Sequence, residues 1–197
     1  MTTDRETRLG HDHRRLRQKL VGAVLAGGKG TRFGADKAMA MLEGRPLVYH
    51  AIETLRSLTN LTVVVGRNID GFECVDDLPA SGLGPLGGLC GALDYAGRHG
   101  FDGVLSTGCD IPHLPPQSAT LLVGQGPACN ADLPIIGYWP VSLAGPLLDY
   151  LISDSKRSMY GWAEAIGCKM VRFREKIENV NSLAELERIA AQRLSDR

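Results

Sequence analysis

Residues 21–65 read VGAVLAGGKGTRFGADKAMAMLEGRPLVYHAIETLRSLTNLTVVV, and the order of their apolar runs decides the fold. Val21-Gly-Ala-Val-Leu-Ala26 is short, apolar and glycine-bounded, the pattern of a strand buried on both faces of a parallel sheet. A glycine-rich loop follows. Pro46 can open a helix, and Val48, Ala51, Ile52, Leu55 and Leu58 then recur at helical spacing. Leu61-Thr-Val-Val-Val65 reads as the next strand, so the stretch is strand, loop, helix, strand, the unit of a layered α/β fold.

The alternation continues outward. Expected elements are a strand at Phe72–Val75, a helix at Leu86–Arg98, a strand at Gly103–Gly108 and a helix after Pro115-Pro116. Then come a strand around Leu133–Tyr138, helices near Leu143–Ile152 and Ser158–Ile166, and a strand at Lys169–Phe173. Ser182-Leu-Ala-Glu185 matches a capping box and opens a last helix through Leu186, Ile189, Ala190 and Leu194. The expected fold is α/β: three layers, α/β/α, with a mostly parallel central sheet and a Rossmann-like nucleotide-binding half.

At 197 residues and 44% hydrophobic, the chain suffices for one sizeable core. We expect a single domain over 20–197, preceded by a disordered or loosely attached extension over 1–19. Lys+Arg and Asp+Glu both number 22, so no global field gathers nucleic acid or an anionic membrane, and any anion site must be local. The five cysteines contain no C-x-x-C pair, which argues against a disulfide framework or structural zinc and points to a reducing, cytoplasmic setting. No apolar run approaches the roughly 20 residues of a membrane span. Met1–Lys19 has no apolar core of a secretory signal, and its His11-Asp-His13 reads as exposed and inert rather than as a metal site.

The first strand runs into Gly27-Gly28-Lys29-Gly30-Thr31-Arg32-Phe33-Gly34, four glycines and two cations. Glycines let backbone N–H groups approach an anion closely, and the cations neutralise it, so phosphate is the natural guest. Two familiar phosphate loops are excluded. A Walker A loop would need lysine where Gly28 stands, and the dinucleotide fingerprint would need glycine where Phe33 stands.

What remains, L-A-G-G-x-x-x-R-x-G-x-x-K followed by Gly44-Arg-Pro-Leu47, resembles the loop of nucleotidyltransferases that join an NTP to a phosphorylated acceptor and release pyrophosphate. With LAGG and Asp36-Lys37 it is most similar to the molybdenum cofactor guanylyltransferase family. The resemblance implies that the Leu25, Ala26, Gly27 and Gly28 backbone holds the guanine and ribose region, and that Arg32 and Lys37 hold the triphosphate. Cations there would stabilise charge developing on the pyrophosphate leaving group.

Val104-Leu-Ser-Thr-Gly-Cys-Asp110 is an apolar run ending in an acid. Alone, Asp110 reads first as a turn or N-cap aspartate, although the end of a buried strand also suits a carboxylate that binds a hard cation. Gly-Cys-Asp-Ile-Pro resembles the family's metal motif, which implies that Asp110 binds Mg2+ and nucleotide. Cys109 beside it needs no role, since the acceptor phosphate attacks directly.

Asp76-Asp77 reads as a solvated turn or, by the resemblance, places Asp77 at a nucleotide-contacting position. Gly84, Pro85, Leu86 and Gly87 resemble a loop lining the acceptor side. Asn179 and Asn181, in Glu178-Asn-Val-Asn, resemble the family's N-x-N segment and can ligate Mg2+ or bond a pterin, although turn and cap roles explain them almost as well. Two positions depart from the family pattern: Gly66, followed by Arg67 and Asn68, replaces an asparagine, and Leu133 replaces a histidine.

The reading implied is an Mg2+-dependent transfer of GMP from GTP to the phosphate of molybdopterin or molybdenum-molybdopterin, with Arg32, Lys37 and Asp110 as the catalytic set. Molybdoenzyme apoproteins or cofactor-delivery proteins are candidate partners, with no nucleic acid and no membrane. The same chemistry with CTP, or with a sugar or alcohol phosphate, is the near alternative; a noncatalytic nucleotide or cofactor carrier is the distant one.

Overall fold

The computed structural model describes residues 18–27, 36–124, 126–153 and 157–195. Its sheet has seven strands in the order β5-β4-β1-β6-β8-β7-β9. These are β1 (Leu20–Leu25), β4 (Leu61–Val65), β5 (Glu73–Val75), β6 (Gly103–Gly108), β7 (Ala128–Asn130), β8 (Gly137–Pro140) and β9 (Lys169–Val171). A separate two-stranded hairpin joins β2 (Met41–Leu42) to β3 (Arg45–Pro46). The helices are α1 (Leu47–Arg56), α2 (Pro85–Arg98), α3 (Pro116–Thr120), α4 (Ala144–Ile152), α5 (Met159–Ala165) and α6 (Leu183–Ser195).

β1 is parallel to both its neighbours, and Leu25 stands opposite Val65 on β4 and Gly108 on β6. β8 is antiparallel to both β6 and β7, while β9 is parallel to β7. The α/β architecture with a mostly parallel sheet is therefore as expected.

Period-two side-chain alternation divides the core in two. Val21, Ala23, Leu25, Val63, Val65 and Val104 face α2, α4 and α5; Leu20, Val24, Val64 and Leu105 face α1 and α3. Gly22 lets α1 approach, since a Cβ there would lie 2.8 Å from Thr59 Oγ1 and 2.9 Å from Leu55 Cβ. A third, smaller cluster packs Val180, Leu186 and Ile189 against Leu42 and Leu47. It fastens α6 to the hairpin and to the start of α1.

One local reading is corrected. The strand expected from Leu133 begins only at Gly137, because Asn130 Oδ1 accepts from the amides of Asp132 and Leu133 at 3.0 and 2.7 Å and turns the chain before Pro134. β7 and the hairpin are additional, and both are too short to show a period. Glu43 and Gly44 make the hairpin bend with φ of 51° and 78°. Trp139 and Trp162 are core residues at 0% and 2% exposure, and Trp139 Nε1 donates to Ser106 Oγ at 2.9 Å.

The expected extension lies outside the described residues as far as residue 17. Gln18 and Lys19 are tied to the body: Gln18 Nε2 donates to the Tyr138 hydroxyl at 3.1 Å, and the Lys19 amide donates to Asp102 Oδ2 at 2.7 Å. Among the described residues no helix is long and apolar enough to cross a membrane. The cysteines are free, although the β7–β9 pairing brings Cys129 and Cys168 to a sulfur separation of 3.6 Å.

Gly91 carries a steric test of this packing, because a Cβ there would collide with the backbone carbonyl oxygen of Asp76. Overpacking against backbone typically costs about 1–3 kcal/mol. Gly91→Ala is expected to lower the melting temperature by about 4–8 °C for a loss of about 2 kcal/mol, read by thermal unfolding. An unchanged melting temperature would refute this close approach of α2 to the segment after β5.

Candidate active site

In open α/β sheets a ligand crevice forms beyond the carboxyl ends of strands where the chain order reverses. Here the order β5-β4-β1-β6 reverses between β1 and β6, whose ends are level. The Cys109 amide donates to the Leu25 carbonyl at 3.2 Å and the Ala26 amide to the Val65 carbonyl at 2.9 Å, so these groups lock the strand ends together. Leu25 and Ala26 are buried, leaving Gly27 as the exposed residue of that segment. Gly28 and Arg32 lie outside the described residues.

Lys37 begins a short 3-10 turn, Lys37–Met39. Its Nζ donates to Asp110 Oδ2 at 2.7 Å and to Asn181 Oδ1 at 3.2 Å. Three residues separated by 73 and 71 positions thus meet at one ammonium group. Asp110 reaches this place because Gly108 has no side chain: a Cβ there would collide with Asp110 Oδ1.

Asn181 is held from two directions. The Val180 amide donates to the Asp110 carbonyl at 2.9 Å, fixing the segment to the end of β6. Ser182 Oγ accepts from the Glu185 amide at 3.2 Å, as a capping box requires. The return bond runs from the Asn181 amide to Glu185 Oε2 at 2.6 Å, one residue earlier than in the standard box, and so orients Asn181 itself. Asn179 Oδ1 is buried without a hydrogen-bond partner among the described residues.

The oxygens of Asp110 and Asn181 converge on a cation, here the Lys37 ammonium. One carboxylate, one amide oxygen and ligand phosphates are the hard donors that Mg2+ takes, since it is usually bound by one or two carboxylates and keeps its remaining positions for phosphate and water. The residues fit that ion. Among the described residues no group of three or more His, Cys, Asp or Glu forms a metal cage.

Asp77 is set among glycines. Cβ atoms would stand 3.4 Å from its carboxylate at Gly27, 2.9 Å at Gly66 and 3.5 Å at Gly88. Gly66 is required twice over, with φ of 82° and a Cβ that would lie 2.6 Å from Gly27 Cα. The absence of asparagine there is thus a backbone necessity in this chain. Asn68, which could have stood in for it, is exposed.

Of the four residues expected to line the acceptor side, Gly84 and Pro85 are exposed at the start of α2, whereas Leu86 is in the core and Gly87 packs beneath Asp77. Only the first two have side surface to offer a ligand. Burial pushes the Cys109 thiol up to about 12, with Asp110 adding and Lys37 and Arg67 opposing, so it stays protonated and unreactive. A groove of about 720 Å³ opens elsewhere, lined by His50, Glu53, His113, Glu175 and Arg193. Several of its polar groups are paired, as Arg193 with Glu178 at 2.7 Å and Ser118 with Glu175 at 2.9 Å.

Sequence reasoning passed over Arg67 as a site residue, although the rule that ligands sit beyond strand ends applies to it directly. Its Nη1 pairs with Asp36 Oδ1 at 2.9 Å, beside Lys37.

A family model described as the MobA-like NTP transferase domain matches residues 22–157. The chain belongs to the MobA-like NTP transferase family. It is 30% identical over 188 residues to the molybdenum cofactor guanylyltransferase of Acidiphilium cryptum, covering 88% of this chain and 95% of that one. The protein of the same name from Yersinia pestis is 28% identical, with 87% and 95% covered.

Among solved structures, the molybdopterin-guanine dinucleotide biosynthesis protein A of Archaeoglobus fulgidus is similar at a TM-score of 0.70 and 23% identity, covering 90% of this chain and 100% of that one. A 2-C-methyl-D-erythritol 4-phosphate cytidylyltransferase from Thermus thermophilus shares the fold at 0.67 and 12% identity, with 90% and 99% covered. Membership in the MobA-like family makes this chain a nucleotidyltransferase by class.

Asp77 generates a pH test. Burial raises its pKa, opposed by a hydrogen bond from the Gly82 backbone and aided by Asp76. The folded state then holds the proton more tightly than the unfolded chain, so stability falls as pH rises from the ordinary aspartate range through the raised value, and levels above it. Asp77→Asn should remove this decline and raise the melting temperature at neutral pH. Thermal unfolding from about pH 3 to about pH 7 checks it, and an unaltered pH profile would count against the desolvated carboxylate.

Proposed function

We propose that the protein transfers GMP from GTP to the terminal phosphate of molybdopterin or its molybdenum-bearing form, giving the guanine dinucleotide and pyrophosphate. The observation that carries this reading is the meeting of Lys37, Asp110 and Asn181 at the crevice beside β1 and β6. The names of the curated relatives support the choice of substrates.

An oxygen of the acceptor phosphate attacks the α-phosphorus of GTP, and the bond from that phosphorus to the bridging oxygen of pyrophosphate breaks. Lys37, with Arg32 from the loop, offsets the charge gathering on the departing pyrophosphate. Asp110, with Asn181 beside it, would hold Mg2+, which when bound supplies further neutralisation of the phosphates. No enzyme nucleophile takes part, in keeping with the protonated Cys109 thiol. Catalysis then rests on positioning and electrostatics.

Asp77 supports guanine as the base. An ionised carboxylate only accepts hydrogen bonds, and guanine presents N1–H and N2–H together on one edge, a pair that cytosine lacks.

Purified protein with Mg2+, molybdopterin and either GTP or CTP is expected to release pyrophosphate and form the dinucleotide with GTP. Lys37→Ala or Asp110→Ala should lower kcat at least about 100-fold while the melting transition persists. Cys109→Ala should stay within about twofold of the unaltered enzyme, because its thiol is not ionised. Activity with CTP alone would overturn the base assignment, and nucleotide binding without pyrophosphate release would favour the carrier reading.

A further inference from the structure

Arg67 leaves the carboxyl end of β4 directly after Gly66, whose amide donates to the Val75 carbonyl at 3.0 Å. Its side chain is 23% exposed, while that of its partner Asp36 is 48% exposed. Asp36 engages Nη1 at 2.9 Å, yet the Nε–H is buried with no hydrogen-bond partner among the described residues. A guanidinium presents its donors as a fork that suits two oxygens of a phosphate, and here Nε has no acceptor among the described residues.

The position of this fork is functional ground. Gly66, the preceding residue, touches Gly27 at the end of β1, and Asp36 precedes Lys37. Arg67 pairs with Asp36 and Lys37 pairs with Asp110, so the two ion pairs are joined through consecutive residues of one segment. Two cations and two carboxylates cancel there. Lys37 is matched by Asp110 at 2.7 Å and Arg67 by Asp36 at 2.9 Å, so an entering triphosphate meets cations whose carboxylate partners it can displace, and Arg67 keeps an Nε–H with no hydrogen-bond partner among the described residues.

Resting on the nucleotidyl-transfer reading above, we propose that Arg67 is a further nucleotide-binding residue whose guanidinium takes a phosphate oxygen of the bound nucleotide while Asp36 steadies it through Nη1. The residue thus follows Gly66, which lies against Gly27 and Asp77, and pairs with the carboxylate next to Lys37. It recognises phosphate rather than base, because its fixed partner is the carboxylate beside Lys37 and not Asp77.

The test is equilibrium binding of guanosine, GMP and GTP to the full chain, with Arg67→Gln and Arg67→Lys beside the unaltered protein. Arg67→Gln is expected to weaken GTP at least about tenfold and guanosine less than about twofold, with Arg67→Lys between because it keeps charge and loses the fork. Equal losses for guanosine and GTP, or no loss for GTP, overturn the proposal. Where Arg67→Gln does not fold, Arg67→Lys decides alone: weaker GTP with unchanged guanosine supports it, and unchanged GTP overturns it.

Should the unaltered protein prefer cytidine nucleotides, the series of cytidine, CMP and CTP is read in the same way. The guanine assignment then fails while Arg67 is still judged. An unaltered protein that binds no nucleotide overturns both.

Discussion

The parallel register of β1 between β4 and β6 is the constraint on which the site depends. Leu25, Val65 and Gly108 end level, and the bonds from Ala26 to Val65 and from Cys109 to Leu25 close that edge. A shift of one residue in β1 would exchange the two faces of its apolar set, exposing Val21, Ala23 and Leu25 to the wrong helices. Burial on both faces therefore enforces the register, and the register puts Gly27, Gly66 and Asp110 at one rim.

Assembly of the remaining parts depends on the small cluster of Leu42, Leu47, Val180, Leu186 and Ile189. It holds α6 against the hairpin that follows Lys37, and this carries Asn181 to a residue 144 positions earlier. Arg193 strengthens the same junction by pairing with Glu43 at 3.3 Å and Glu178 at 2.7 Å. These ion pairs are partly exposed and individually worth little; the apolar contact supplies most of the attachment.

Two carboxylates of this region differ in their electrostatic setting. At Lys37 and Asp110, opposite charges meet at 2.7 Å with both side chains partly exposed. At Asp77, burial disfavours the ionised carboxylate, and a hydrogen bond from the Gly82 backbone opposes that shift.

The sequence by itself determined the alternation of apolar strands and helices, because strands buried on two faces and helices buried on one leave periods that can be counted. It also marked Lys37, Asp77, Asp110 and Asn181 through a resemblance that the family match and the curated relatives bear out as to family. Short elements escaped: β7 has three residues and β2 and β3 have two each, too few for any period. Leu133–Ile136 misled because Asn130 turns an apolar run that otherwise reads as a strand. Only the tertiary structure decided that Gly66 is a steric requirement, that Gly108 admits the Asp110 carboxylate, and that Arg67 stands beside Asp36 with a buried N–H that has no acceptor among the described residues. Those facts concern distances between residues remote in the chain, and no local pattern encodes them until the sheet register and the packing of α6 bring the residues together.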